Sequence, residues 1–90
     1  MEPFKDNDEG YLNWIKKNSN GYVVNCNRKP SPNYLILHRA DCERIKKLQN
    51  KAKFWTKDYI KMCSLDLKEL QIWAHDKIGG RLSYCPSCKP

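Results

Sequence analysis

Apolar residues recur at intervals of three or four positions in two parts of the chain, and this spacing predicts two amphipathic helices. The first helix covers about residues 8–18. The second covers about residues 66–78, where Asp66 and Glu69 form a capping-box-like start and Gly79-Gly80 provides a stop. Helical segments are therefore expected near both ends of the chain.

Three runs rich in β-branched and aromatic residues predict strands at residues 22–26, 34–38 and 58–64. The first two runs are separated by residues 27–33, which contain two prolines and two basic residues, so we expect a hairpin with a stiff basic loop. Between the second and third strands, apolar residues spaced three apart predict a short helix over about residues 41–48.

The resulting order of elements, α-β-β-α-β-α, predicts an α+β domain with a small antiparallel or mixed three-stranded sheet and its helices on one side. Residues 1–9 contain four acidic residues and one basic residue, so we expect an acidic N-terminal tail there and a single domain over residues 10–90. A chain of 90 residues has a small core, so a metal cross-link would add much of its stability. No apolar run approaches the length of a membrane helix, and we expect no membrane partner.

The spacing of cysteine and histidine adds a candidate metal site. Two cysteines occur near the end of the chain as Cys85-Pro86-Ser87-Cys88, and a histidine and a cysteine four positions apart follow the second predicted strand. Zinc prefers four tetrahedral nitrogen and sulfur ligands, and a site with four protein ligands is usually structural because no position is open to substrate. The sequence therefore predicts one structural Zn²⁺, bound by His38, Cys42, Cys85 and Cys88.

Other interpretations of the cysteines stay open at this stage. Cys-x-x-Cys also occurs in thioredoxin-like redox pairs, but those lie at the start of a helix in a βαβ unit. A disulfide framework suits secreted domains, whereas the polar, acidic N-terminus lacks the apolar segment of a signal peptide, and five cysteines leave one unpaired. We therefore expect a reducing, cytoplasmic location. Cys26 and Cys63 are predicted not to bind the metal, the alternative being a strand cysteine in place of His38.

The charge distribution indicates a polyanionic partner. The chain has 17 basic and 10 acidic residues, a net charge of +7, and its bases concentrate between Lys16 and Lys61. Such a field favours nucleic acids, although lysines also serve simply to solvate a surface. Residues 49–57 are predicted as a basic loop whose Trp55, or alternatively Tyr34, stacks on a base. The predicted nucleic-acid-binding residues are Arg28, Lys29, Arg39, Lys46, Lys47, Lys51, Lys53, Trp55, Lys57 and Lys61.

The candidate ligands also carry a resemblance to a known family. His38-x3-Cys42 after an apolar strand, then a strand and a helix, and the closing Cys85-x2-Cys88-Lys89-Pro90 resemble the Ada-type metal-binding domain, the zinc-binding N-terminal module of a bacterial DNA alkylation-repair regulator. The resemblance covers about residues 34–90 and implies a zinc-stabilised α/β module that sits on DNA. In that family the first cysteine of the ligand set accepts a methyl group from a phosphotriester. Here that position is His38, whose imidazole is not a thiolate nucleophile, so we expect no methyl transfer.

The sequence favours a small zinc-binding module that binds nucleic acid, with DNA preferred, and that is not an enzyme. The main alternative is a zinc-stabilised adaptor that contacts a protein through Phe54-Trp55. A third alternative is a zinc-thiolate alkyl acceptor or another metalloenzyme. A larger effector protein is a candidate partner as well.

Overall fold

A mixed five-stranded sheet with three helices packed on it forms the frame of the computed structural model, which describes residues 1–48 and 52–90. The elements are β1 (Glu2–Phe4), α1 (Asp8–Lys17), β2 (Tyr22–Asn27), β3 (Leu35–Arg39), α2 (Glu43–Lys46), β4 (Tyr59–Ser64), α3 (Leu67–Trp73), a π-helical turn (Ala74–Ile78) and β5 (Ser83–Tyr84). The α+β class predicted from the sequence is confirmed.

The order of strands across the sheet is β1-β4-β2-β3-β5. The predicted hairpin is confirmed, because β2 and β3 pair antiparallel with Val24 opposite Leu37. The third predicted strand, β4, pairs antiparallel with the other side of β2, where Val23 lies opposite Cys63. The last strand, β5, pairs with β3 in parallel, so the C-terminal segment returns alongside the hairpin.

Both edges of the sheet correct the sequence prediction, which had three strands and an acidic tail over residues 1–9. Glu2–Phe4 pairs antiparallel with β4, with Phe4 opposite Lys61, and the Phe4 side chain is buried. The first residues therefore belong to the folded domain. The two added strands have three and two residues, which is too short for an alternating pattern to appear in the sequence.

The helices lie on both faces of the sheet, so the prediction of helices on one side is wrong. Val23 packs in the same core cluster as Tyr11 and Ile15 of α1. The next residue, Val24, points to the opposite face and packs in a second cluster with Leu70 of α3. Successive strand residues face opposite sides, so two adjacent buried valines require a cover on each face.

The helix predicted at residues 66–78 is confirmed in position but differs in its details. Asp66 accepts a hydrogen bond from the backbone N–H of Lys68 at 3.0 Å, as an N-cap should. Glu69 does not complete a capping box; its carboxylate accepts a hydrogen bond from the hydroxyl of Ser64 at 2.8 Å. The last turn is π-helical and ends at Gly79, whose φ of 76° favours glycine.

The two ends of the sheet carry different residues: the predicted metal ligands lie at one, the metal end, and the hairpin loop lies at the other, the loop end. The metal end is where β3 and β5 finish, at Arg39 and Tyr84. The loop end is where β2 finishes and β4 begins, at Asn27 and Tyr59. Because β2 has six residues, the two ends are about 17 Å apart along the strand.

Candidate functional site

Four side chains that could hold a metal ion meet at the metal end. Their ligand atoms all lie within 4.8 Å of one another, and they belong to His38, Cys42, Cys85 and Cys88. A nitrogen and three sulfurs at this spacing match the tetrahedral donor set that zinc prefers. The fold brings together two pairs of ligands, His38 with Cys42 and Cys85 with Cys88, that are distant in sequence.

The sheet explains how the two pairs meet. His38 lies near the end of β3, and the chain then turns so that Cys42 immediately precedes α2. The parallel pairing of β5 with β3 continues past Tyr84, because the backbone N–H of Cys85 donates to the carbonyl oxygen of Leu37 at 2.9 Å. One further hydrogen bond, from the backbone N–H of Arg39 to the Cys88 sulfur at 3.3 Å, joins the second pair to the strand.

The histidine is prepared to act as a ligand. Burial, together with the nearby cations of Lys61 and Arg44, lowers the pKa of His38 to about 4, so the imidazole is neutral at pH 7. Neutral imidazole is the form that binds metals. Among the described residues its buried Nδ1 has no hydrogen-bond partner, and coordination of a metal ion by this nitrogen would occupy its lone pair.

The thiols of the cluster differ in their surroundings. Burial raises the pKa of Cys42 to about 12. Burial also acts to raise the pKa of Cys85, but hydrogen bonds from the backbone N–H groups of Cys88 and Ser87 outweigh it and lower that pKa. Cys88 is half-buried, whereas Cys42 and Cys85 are buried. A bound cation would favour the thiolate form of all three.

The other two cysteines lie outside this cluster. Cys63 packs in the α1-side core, and Cys26 packs on the α3 side with its sulfur 3.9 Å from the carbonyl oxygen of Ile60. Burial raises the pKa of both thiols. Their position in the two apolar cores fits a packing role.

An open depression of about 500 Å³ lies beside the ligand cluster. Cys42 and Cys88 line it together with two arginines and two acidic residues. The residues that line it are Arg39, Asp41, Cys42, Glu43, Arg44, Ser87 and Cys88. Its charges balance, so it is not a pocket of one sign.

The predicted nucleic-acid-binding residues that the structure describes do not form one surface. Most of them divide between the two ends of the sheet, and Lys61 lies between the ends. Arg39 lies at the metal end and pairs with Asp41 at 3.6 Å. Lys46 and Lys47, in and after the short helix that follows Cys42, both pair with Glu43. These exposed ion pairs reduce the free positive charge of this end. Lys51 lies outside the described residues.

A second basic group lies at the loop end, where the hairpin loop meets the segment before β4. The Arg28 guanidinium donates to the Lys57 carbonyl oxygen at 2.9 Å and to both oxygens of the Asp6 carboxylate. The Lys57 ammonium lies 4.9 Å from the centre of the Phe54 ring. Lys29 and Lys53, next to Arg28 and Phe54 in the chain, are exposed.

Lys61 was predicted to contact phosphate, but the structure buries it. Its side chain is 6% exposed, and its ammonium donates to the carbonyl oxygen of Trp55. Burial lowers the pKa of Lys61 to about 8. The alternation of β4 turns this residue toward the face that α1 covers, where the ammonium also lies 5.7 Å from the Tyr11 ring.

Trp55 also differs from its predicted role as an exposed stacking residue. Its ring is half-buried against the α1-side core, and its buried Nε1 has no partner among the residues that the structure describes. The backbone N–H groups of Trp55 and Thr56 donate to the Asp8 carboxylate at 3.2 and 2.8 Å, which holds this segment on α1. Phe54 is the exposed aromatic side chain of the pair.

An exposed tyrosine that the sequence analysis did not select lies at the loop end. Tyr59 is 45% exposed, and its ring packs against Tyr34 with 5.4 Å between ring centres. Its position as the second residue of the strand predicted at residues 58–64 was the available signal, because strand ends are the least covered part of a sheet. Tyr34, the predicted alternative to Trp55, is half-buried beneath it.

Comparisons with known proteins do not assign this chain to a family. Comparison of the chain with protein-family models, with curated proteins and with solved structures finds no match. The resemblance to the Ada-type domain therefore stays a prediction. Within the described ranges, no helix has the length and apolar character that a membrane crossing requires.

Proposed function

We propose that this chain is a zinc-stabilised module that binds nucleic acid through a surface at the loop end of its sheet. This loop-end surface consists of the basic residues Arg28, Lys29 and Lys57 and the aromatic residues Tyr34, Phe54 and Tyr59. The observation that carries the proposal is the contact between Arg28 and the backbone of Lys57. It joins two basic segments that are far apart in sequence.

Zinc is proposed for the metal because the donor set is one imidazole and three thiolates. Four protein ligands would fill a tetrahedral coordination shell, so we assign the ion a structural role and no catalytic step. In that role it would hold the C-terminal segment to β3. The nucleic-acid surface lies at the other end of the sheet, so the metal supports binding through the fold rather than by contact.

The charge of the loop-end surface fits a phosphate backbone. The carboxylates of Asp6 and Asp58 neutralise part of the Arg28 charge, but the exposed ammonium groups of Lys29 and Lys57 keep the surface basic. Phosphate contacts release counterions, so binding through them falls steeply with salt. A protein partner docked on the exposed Phe54 ring would show little salt dependence, and this difference separates the two candidate functions.

The test is a pair of double variants that change net charge equally. Lys29→Glu with Lys57→Glu reverses charge on the loop-end surface, whereas Lys68→Glu with Lys77→Glu reverses two exposed lysines on α3 and the π-helical turn. Fluorescence anisotropy would measure binding to oligonucleotides of about 20 nucleotides at about 50 and 200 mM salt. We expect the first variant to bind at least about tenfold more weakly, with a flatter dependence on salt.

The control pair decides what a loss of binding means. We expect Lys68→Glu with Lys77→Glu to retain most of the affinity of the parent. Equal losses in both variants would show that net charge alone attracts the polyanion. Absence of binding by the zinc-loaded parent protein to single-stranded or duplex oligonucleotides would overturn the proposed function.

A further inference from the structure

The loop end carries a row of side chains that crosses three strands on one face of the sheet. Tyr59 at the start of β4 lies opposite Asn27 at the end of β2. Tyr34 immediately precedes β3, whose first residue lies opposite Cys26, so Tyr34 occupies the same level as Asn27. The two tyrosine rings pack over this row at an interplanar angle of 47°.

The two rings of this row are held to different degrees. The side-chain amide of Asn25 donates to the Tyr34 hydroxyl at 3.3 Å, and the Tyr34 side chain is half-buried. Tyr59 rests on this fixed ring and keeps 45% of its surface exposed. A ring held in place before binding loses little conformational freedom when a ligand packs on it.

This face of the sheet is covered toward the metal end and open at the loop end. Toward the metal end, α1 packs over Val23 and Cys63. At the middle level, the segment before β4 covers Lys61 through its contact with the Trp55 backbone. At the loop end Tyr59 stays exposed, with Lys57 two residues before it in the chain. An open aromatic surface therefore lies beside the basic residues of the loop-end surface.

We infer that this surface binds unpaired bases, so its ligand class is single-stranded nucleic acid, with Tyr59 as the stacking residue. The inference rests on the proposed function and narrows it. Bases in a duplex are stacked on one another and offer no free face, whereas unpaired bases stack on aromatic side chains. Arg28 and Lys29 directly follow Asn27 of this row in the chain. Arg28 contacts Lys57, which lies two residues before Tyr59, so these basic residues are placed for the phosphates of the same strand.

The test compares one sequence in three forms: single-stranded DNA, single-stranded RNA and the DNA duplex. Fluorescence anisotropy with zinc-loaded protein would measure each affinity at two salt concentrations. We expect the single strands to bind at least about tenfold more tightly than the duplex. Replacement of the ring in Tyr59→Ala should weaken single-strand binding about tenfold while leaving the salt dependence unchanged, and Tyr59→Phe should retain affinity.

A matched control is available on the opposite face of the sheet. Tyr84 is 49% exposed, and its hydroxyl accepts a hydrogen bond from Gln71 of α3. We expect Tyr84→Ala to leave single-strand affinity unchanged. Circular dichroism would establish that each variant is folded, and Tyr59→Thr, with a residue that favours strands, replaces Tyr59→Ala if alanine perturbs the sheet.

The outcomes separate this inference from the proposed function. Duplex binding as tight as single-strand binding, or unchanged affinity in folded Tyr59→Ala, would overturn the inference. The proposed function would survive if the charge reversal of Lys29 and Lys57 still weakened binding. No binding to any of the three oligonucleotides would remove both.

Discussion

Removal of the proposed zinc ion is the perturbation that tests most directly how this small fold is held together. The segment after β5 has few other connections to the sheet. Strand β5 has two residues, and the segment after it adds two hydrogen bonds to β3: the Cys85 backbone N–H donates to the Leu37 carbonyl oxygen, and the Arg39 backbone N–H donates to the Cys88 sulfur. A metal bound by the four ligands would cross-link this segment to His38 and Cys42, so its loss should release the C-terminal segment from the sheet.

The size of the effect follows from the loop that a bound metal would close. Treated like a disulfide over the same loop, a link between Cys42 and Cys85 is worth about 4 kcal/mol of unfolding free energy. The apo protein would also leave the buried Nδ1 of His38 unsatisfied, which costs about 1–3 kcal/mol more. Domains of this size have total stabilities of about 5–15 kcal/mol. We therefore expect apo protein with a midpoint lowered by about 25–40 °C, or no cooperative transition.

The assay needs protein of known metal content. Native mass spectrometry would count zinc in the purified protein, and circular dichroism would record thermal unfolding before and after chelation under reducing conditions. Cys88→Ser should bind zinc weakly and show the same loss of stability as the chelated parent. Cys26→Ala and Cys63→Ala serve as controls, because both thiols lie in the apolar cores and both variants should keep one zinc per chain.

Two results would refute this reasoning. A verified apo protein that unfolds within a few degrees of the zinc-loaded protein would show that the metal is peripheral. Full zinc occupancy in Cys88→Ser, or loss of zinc from folded Cys63→Ala, would show that the ligand set is wrong.

Two further predictions concern the contacts beneath the segment before β4. Asp8→Ala should lower the unfolding free energy by about 2 kcal/mol in urea denaturation, because the carboxylate accepts hydrogen bonds from two backbone N–H groups and from the Thr56 hydroxyl. The control variant Glu9→Ala, which changes an exposed neighbour, should lower the unfolding free energy by less than about 0.5 kcal/mol. Equal losses in the two variants would contradict the role assigned to Asp8. Burial lowers the pKa of Lys61 to about 8, below its ordinary value of 10.5. Between these two pH values the unfolded chain binds more protons at this residue than the folded chain does. Lys61 should therefore make the parent more stable as pH rises from about 8 to 10.5. Lys61→Met should lack this rise in thermal melts and should melt no lower than the parent at pH 7, whereas a variant less stable by several degrees at pH 7 would show that the ammonium contacts outweigh the cost of burial.

Local sequence patterns determined the longer elements. The β-branched and aromatic runs of β2, β3 and β4 and the three- and four-residue spacing in α1 and α3 each extend over enough residues to indicate the element and its approximate bounds. Ligand types are also local information, and the four residues selected for their spacing are the ones that the structure brings within 4.8 Å. The fold class followed from the order of these elements.

Contacts between distant segments decided the rest. Glu2–Phe4 and Ser83–Tyr84 become strands only because β4 and β3 offer free edges, which no two- or three-residue sequence can show. The side of the sheet that each helix covers depends on packing against both faces of β2. The sequence alone does not show this packing, and the prediction that α1 and α3 lie on one side of the sheet is therefore wrong.

The exposure of individual side chains was decided in the same way. Lys61 is buried because the segment before β4 covers it, and Trp55 is half-buried because Asp8 holds that segment on α1. Tyr59, two residues from Lys61 on the same face, stays exposed because it lies at the end of the strand. Residue type alone does not distinguish these environments, since burial is a property of the elements that pack around a side chain and not of the side chain itself.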